Sequence, residues 1–236
     1  MTASSAVLQP ETQNQKLTRL PNRYSANTKL KINIGCGLSG APGWCNIDNS
    51  PTIPLSRLKL GRLLFRTPAW PKDVRRHDVK KGLPFADQSV SCIYSSHTFE
   101  HFSWAESLAV AKECFRVLRP GGVLRIVVPD LQLIAREYLR DSDPMASHRF
   151  VDRLLLSHTI HDLFHRGAHH SQMFDESSLI ALLRQAGFEQ PVVSSFMQSH
   201  ITDITLIELE QRKHESLYVE SVRQETLLLS PLQTDC

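Results

Sequence analysis

The sequence has no C-x-x-C pair, and its five cysteines (Cys36, Cys45, Cys92, Cys114 and Cys236) are odd in number. That pattern argues against a disulfide framework and a zinc ribbon, and it suits a reducing interior. Charge of one sign is also lacking: the formal net charge is +3 over 236 residues, with Lys and Arg scattered. Without a basic tract, no nucleic-acid partner is expected. No apolar run approaches the ~18 residues of a membrane span, and the N-terminus has neither the basic nor the apolar region of a signal peptide. A cytoplasmic protein without a membrane partner is expected. There is no internal repeat, and nothing in the sequence reports the oligomeric state.

Hydrophobic residues make up 41% of the chain, enough to bury one sizeable core. Residues 1–28 are rich in Thr, Ser, Gln and Asn without an apolar period, and read as a mobile N-terminal arm. Strand and helix patterns then alternate over 29–224, and 225–236 is left as a C-terminal tail. Leu30, Ile32 and Ile34 alternate as a strand that stops at Gly35, and residues 44–47 make a second strand ending at Asp48. Residues 51–76 fit a short helix or a lid-like insertion. Residues 89–95 read as a buried strand. Trp104, Leu108, Ala111, Phe115 and Leu118 recur as the stripe of an amphipathic helix, which Pro120, Gly121 and Gly122 stop. Residues 123–128 are nearly all apolar, as in a central strand covered on both faces. Asp175 can cap a helix through Ala186, ended by Gly187, and residues 192–196 and 216–222 supply final strands. This alternation predicts a single α/β domain over 29–224 with a doubly wound, mostly parallel sheet.

The first strand runs into a G-x-G-x-x-G at Gly35, Gly37 and Gly40. In a dinucleotide fold the third glycine opens a helix whose N-terminus holds the pyrophosphate, and an acidic residue follows about 20 positions on. Here Pro42 and Gly43 come at once, the next strand starts near Trp44, and Asp48 lies only eleven positions after Gly37. No helix fits, so the first crossover is shortened and a pyrophosphate ligand is disfavoured. A ligand with a ribose but no phosphate suits the turn: glycines let the backbone approach it, and a strand-end carboxylate can accept both ribose hydroxyls. S-adenosylmethionine (SAM) has that shape.

Four motifs then follow in order: INIGCG, CNID, HDVKKGLPFADQSVSCIYSSHTFEHF and FRVLRPGGVLRIVVPD. Together they resemble the class I SAM-dependent methyltransferases, nearest to the type 11 methyltransferase family. The compressed GCG-x-x-x-x-PGW-x-N-x-D start is similar to predicted methyltransferases found beside polysaccharide and glycosyl-transfer genes. The resemblance covers about residues 29–224 and implies a Rossmann-like fold with SAM as cofactor. It implies that Gly35, Cys36 and Gly37 line the methionine and ribose side and that Asp48 holds the ribose. Asp78 and Val79 would contact the adenine, with a turn-capping role for Asp78 as the alternative. Ser96 and His97 would border the cofactor. Glu100 and His101 match the family's E-H pair, where Glu100 could instead be a helix N-terminal carboxylate and His101 a structural tie. His170 opens HSQMFDESSL, which looks like a recurring feature of the group.

Methyl transfer to a hydroxyl needs an acceptor held in line and a group that takes its proton. His97, His101 and His170 are the candidate catalytic residues. No nucleophilic cysteine is needed. Upstream, His158, His161, His165 and His169 crowd one segment that departs from the family pattern. A solvated polar face, a base-bearing acceptor wall and a metal site all fit it, and no metal ligand is assigned. The expected function is methyl transfer from SAM to an oxygen, in preference to a nitrogen, of a small molecule or glycan precursor. The alternatives are a SAM-fold protein that binds without transferring, acting as a regulatory partner, and a metal-dependent enzyme on the same fold.

Overall fold

The computed structural model describes residues 30–58, 68–155 and 170–224. The expected arm 1–28, the tail 225–236 and His158, His161, His165 and His169 lie outside the described residues. Five parallel strands come first: β1 (Leu30–Ile34), β2 (Cys45–Asp48), β3 (Arg75–Arg76), β4 (Val90–Ser96) and β5 (Leu118–Pro129). Then β6 (Val192–Ser194) and β7 (Ser216–Val222) pair with each other antiparallel, and β7 lies antiparallel beside β5. The order across the sheet is β3-β2-β1-β4-β5-β7-β6. The described helices are α1 (Thr52–Ser56), α2 (Trp104–Val117), α3 (Leu131–Arg140), α4 (Ala146–Leu155) and α5 (Glu176–Gln185). This is the mostly parallel α/β sheet that the sequence predicts. None of the described helices is long and apolar enough to cross a membrane.

Strand alternation divides the core in two. Ile32, Ile34, Ile93, Leu124, Ile126, Leu217 and Val219 point to one face, where α2 and α5 cover them with Val110, Cys114, Leu179 and Leu183. Tyr94, Val123, Val127 and Tyr218 point to the other face, where Trp44 and residues Ile201, Ile204 and Ile207 cover them. The buried stripe of α2 is Ser107, Val110, Ala111, Cys114 and Val117, with Trp104 39% exposed. That stripe is rotated from the one expected, because the sequence pattern discounted a serine and a cysteine. Ser107 is buried at no polar cost, since its hydroxyl donates to the Phe99 carbonyl and accepts from Gln172 Nε2 at 2.7 Å.

Two further details differ from expectation. Helix α2 ends at Val117, and Leu118 already pairs with Val90, so Pro120, Gly121 and Gly122 make a bulge inside β5 rather than a helix stop. Gly121 has φ +72°, which a side chain would resist there. On the second face Arg125, from the middle of the expected apolar run, is fully buried. Its guanidinium donates to Glu208, to Ser194 Oγ at 2.6 Å and to the carbonyls of Gln198 and Ser195 at 2.9 and 2.8 Å, and sits 3.4 Å from Glu220.

Helix α5 starts as the sequence predicts. The Asp175 carboxylate accepts from Ser178 N at 2.8 Å, and Ser178 Oγ answers by accepting from Asp175 N at 3.0 Å. Asp175→Ala should therefore cost about 1 kcal/mol, read as a lower denaturation midpoint at unchanged denaturant slope.

Candidate active site

The strand order reverses between β1 and β4, and the carboxyl ends of β1, β2 and β4 open there into a cavity of about 650 Å³. Open α/β sheets bind their ligands at such a crevice, and the volume is that of a small-molecule site. No helix lies between β1 and β2, so residues 35–44 cross as turns over the cavity's edge. A buried amide pair holds them in place. Asn46 accepts from Asn33 Nδ2 at 3.1 Å and from Ala41 N at 3.0 Å, and donates to the Ala41 carbonyl at 3.0 Å and to Asp73 at 2.7 Å.

The two leading glycines are needed for different reasons. Gly35 has φ +66°, and a Cβ there would sit 1.9 Å from Thr98 Oγ1, so the β1 turn packs directly on the turn after β4. Gly37 has φ +54° with nothing within 4 Å of a Cβ position, which leaves open space for a ligand against its backbone. The Asp48 carboxylate faces the same space. One oxygen accepts from Gly37 N at 3.0 Å and the other from Ser50 N at 2.8 Å. Each carboxylate oxygen has two acceptor sites, so the pair is oriented and can still receive two hydroxyls. Cys36 also lines the cavity, but burial, with Asp48 and Asp73 adding to it, pushes its thiol up to about 12. It remains a protonated packing group.

Asp78 and Val79 form another wall. Asp78 caps the short turn Val79–Lys81 by accepting from Lys80 N at 3.2 Å, while lining the cavity. The turn-capping role given as the alternative is therefore present, in a side chain that also lines the cavity. His77 Nε2 lies 2.7 Å from the Gly82 carbonyl and closes that loop.

At the end of β4 come Ser96 and His97, both on the cavity wall. His97 sits in the left-handed region at φ +49°, a conformation that costs of order 1 kcal/mol for a residue with a Cβ. Its N–H donates to the Val127 carbonyl at 2.8 Å, and its Nε2 lies 2.9 Å from Ser216 Oγ. Strain held this firmly at a strand end points to a functional constraint. Its Nδ1 is 3.5 Å from Glu100 Oε1. Burial first, with the nearby positive charge of Arg212 second, depresses His97 to about 3, and burial raises Glu100 to about 8. Burial disfavours the charged form of both groups, so their approach has little of the character of an ion pair.

Glu100 is 1% exposed, and among the described residues neither carboxyl oxygen has a hydrogen-bond partner. It is not the helix N-terminal carboxylate considered above. It lies in the short turn Phe99–His101, and the α2 cap is built by Ser103 and Glu106 instead. The segment after residue 170 docks on this turn through its backbone: Ser171 N and Gln172 N donate to the Glu100 carbonyl at 2.7 and 3.2 Å, and Ser171 Oγ donates to the His101 carbonyl at 3.0 Å. That docking brings His170 against His101, ring centroids 5.4 Å apart. His101 lines the cavity, and His170 stands behind it outside the lining. The remaining wall, Ile207, Leu209, Gln211 and Arg212, has no periodic signal and escapes sequence reasoning.

Residues 44–126 match the family model described as a methyltransferase domain. That stretch is similar to the methyltransferase domains of this family. A 61-residue stretch is 39% identical to a "Probable S-adenosylmethionine-dependent methyltransferase" of Mycolicibacterium smegmatis, covering 26% of this chain and 23% of that protein. The match thus spans under a quarter of the curated relative's length. Among solved structures, a SAM-dependent methyltransferase from Mesorhizobium loti is 18% identical, with 83% of this chain and 91% of that chain covered and a TM-score of 0.46. Another from Thermotoga maritima is 17% identical, with 83% and 82% covered and a TM-score of 0.47. The fold rests on the chain's own strand order, a mostly parallel Rossmann-like arrangement.

Proposed function

We propose that the domain, spanning about residues 29–224, binds SAM in the switch-point cavity and transfers its methyl group to an oxygen of a small molecule or glycan precursor. The observation that carries this reading is the pairing of an oriented Asp48 carboxylate and the open face of Gly37 with imidazoles at the end of β4, all lining one cavity. Asp48 would accept the ribose hydroxyls, with Gly35, Cys36 and Gly37 beside the methionine portion. Asp78 and Val79 would meet the adenine, and Ser96 would border the sulfur end. SAM supplies a methyl carbon already activated for displacement.

The chain's own contribution is to hold the acceptor in line and to handle its proton. His101 is the candidate catalytic group, because it belongs both to the cavity wall and to the cluster with Glu100 and His170. His97 is engaged by Ser216 and approached by Glu100, so it acts by positioning, as does His170 behind His101. Oxygen is favoured over nitrogen because a hydroxyl needs such a proton acceptor, whereas a neutral amine already offers its lone pair.

Calorimetry should show SAM and S-adenosylhomocysteine binding and no NAD binding. Asp48→Ala should weaken SAM by about 1.5–3 kcal/mol, the range for hydrogen bonds to a charged group. Wild-type affinity in that variant would remove Asp48 from the ribose site. Formation of S-adenosylhomocysteine across a panel of hydroxylated and amino acceptors tests the chemistry. Binding without turnover on every acceptor would leave a SAM-binding protein in place of an enzyme.

A further inference from the structure

Glu100 poses a problem that the methyl-transfer reading leaves open. A carboxyl group taken out of water without a hydrogen bond to either oxygen is costly, and native structures rarely keep one without a ligand. Here the group is 1% exposed, and both oxygens lack a hydrogen-bond partner among the described residues. The groups around it supply the complement. One ligand atom each from Glu100, His101 and His170 lie within 4.8 Å of one another, so a single ion can meet all three.

The His170 ring is oriented for this role. The Nδ1 of His170 lies 3.1 Å from the Leu154 carbonyl, where a ring N–H must donate, and this tautomer puts the lone pair on Nε2. Metal-binding histidines are held in this way, by a carbonyl on the far nitrogen. The backbone bonds from Ser171 and Gln172 to Glu100 and from Ser171 to His101 fix the spacing across two distant parts of the chain.

We propose that Glu100, His101 and His170 form a site for one divalent cation of the zinc type at the β4 end of the cofactor cavity. Two imidazoles and a carboxylate suit such an ion, and three protein ligands leave a coordination position open. His101 lies on the cavity wall, so the open position faces the space where an acceptor would enter. A hydroxyl bound there loses its proton more readily because the cation stabilises the oxyanion. This role rests on the methyl-transfer reading, but ion binding does not, so the two can fail separately.

The test is titration of the chelator-stripped full chain with Co2+, followed by its visible absorption, and with Zn2+ by calorimetry. The wild-type chain should bind one equivalent of each, with the Co2+ spectrum departing from that of the aqueous ion. Glu100→Gln keeps the shape of the side chain, and circular dichroism should show it folded. It should bind more weakly by over the roughly 10–100-fold that loss of an outer partner costs, as should His101→Ala. A variant with His158, His161, His165 and His169 all replaced by Ala should keep the wild-type spectrum and stoichiometry. No binding by the wild-type chain overturns the proposal without any variant. So does unchanged affinity in Glu100→Gln and His101→Ala, or a site lost from the fourfold variant.

Discussion

Arg125→Met should destabilise the domain by about 3–5 kcal/mol, the usual cost of removing one partner from a buried ion pair. Methionine fills similar space, so little of this would come from a cavity. What remains is the charge: Glu208 and Glu220, 5% and 2% exposed, would stay buried without the guanidinium that faces both. The carbonyls of Gln198 and Ser195 and the Ser194 hydroxyl would lose their donor as well. Chemical denaturation should show a lower midpoint at unchanged slope. Adding Glu208→Gln and Glu220→Gln should recover part of the loss, since the amides keep an acceptor oxygen and remove the stranded charges. A cost under about 1 kcal/mol, the scale of an exposed pair, would mean that Arg125 does not anchor this face. The same side chain ties residues 194–208 to the sheet, and Ile207 with Leu209 continues into the cavity wall, so SAM binding should weaken alongside stability.

Arg125 also shows where sequence reasoning stops. In VLRIVV the apolar run marks a central strand, and β5 is one, but nothing local says that its charged residue is among the most buried side chains of the fold. The partners that make this tolerable come from 69 to 95 positions away in the chain. The parts that were legible depend on short-range chemistry. The missing helix after Gly37 follows from Pro42, Gly43 and the closeness of Asp48, and β1 and β2 are joined without one. The Asp175 cap depends on a residue three positions on. The glycines are less uniform than their motif suggests: Gly35 answers to Thr98, 63 positions later, and Gly37 to open space.

The site divides along the same line. The residues expected around SAM on β1, β2 and β4 line one cavity because strand ends converge at the switch point, a property of topology that the order of motifs carries. The 204–212 wall is held by tertiary contacts such as Glu208 with Arg125, and no pattern announces it. Glu100 is visible in the E-H pair, where the sequence alone also suits a helix-end carboxylate. Its burial follows from the docking of residues 171–172 on its own carbonyl, a long-range event. That docking also sets His170 against His101.

His101→Ala should lower kcat by about 10²–10⁴, the contribution usual for a group that handles a proton in the transition state, while SAM affinity stays close to wild type. The separation follows from geometry. Asp48, Gly35 and Gly37 sit at the ends of β2 and β1, whereas His101 follows β4 and shares the cavity with them from the other side of the switch point. Loss of the imidazole therefore leaves the expected ribose and methionine contacts in place. Asp48→Ala should give the reverse pattern, with SAM binding weakened first. A kcat loss in His101→Ala is expected whether the imidazole takes the proton itself or holds the cation that acidifies the acceptor. Removing divalent ions from the wild-type protein with a chelator separates these: loss of turnover, restored by Zn2+, assigns the work to the cation, and unchanged turnover assigns it to the imidazole. Full activity in His101→Ala would exclude both roles, and the acceptor proton would then have to leave through another side chain of the cavity.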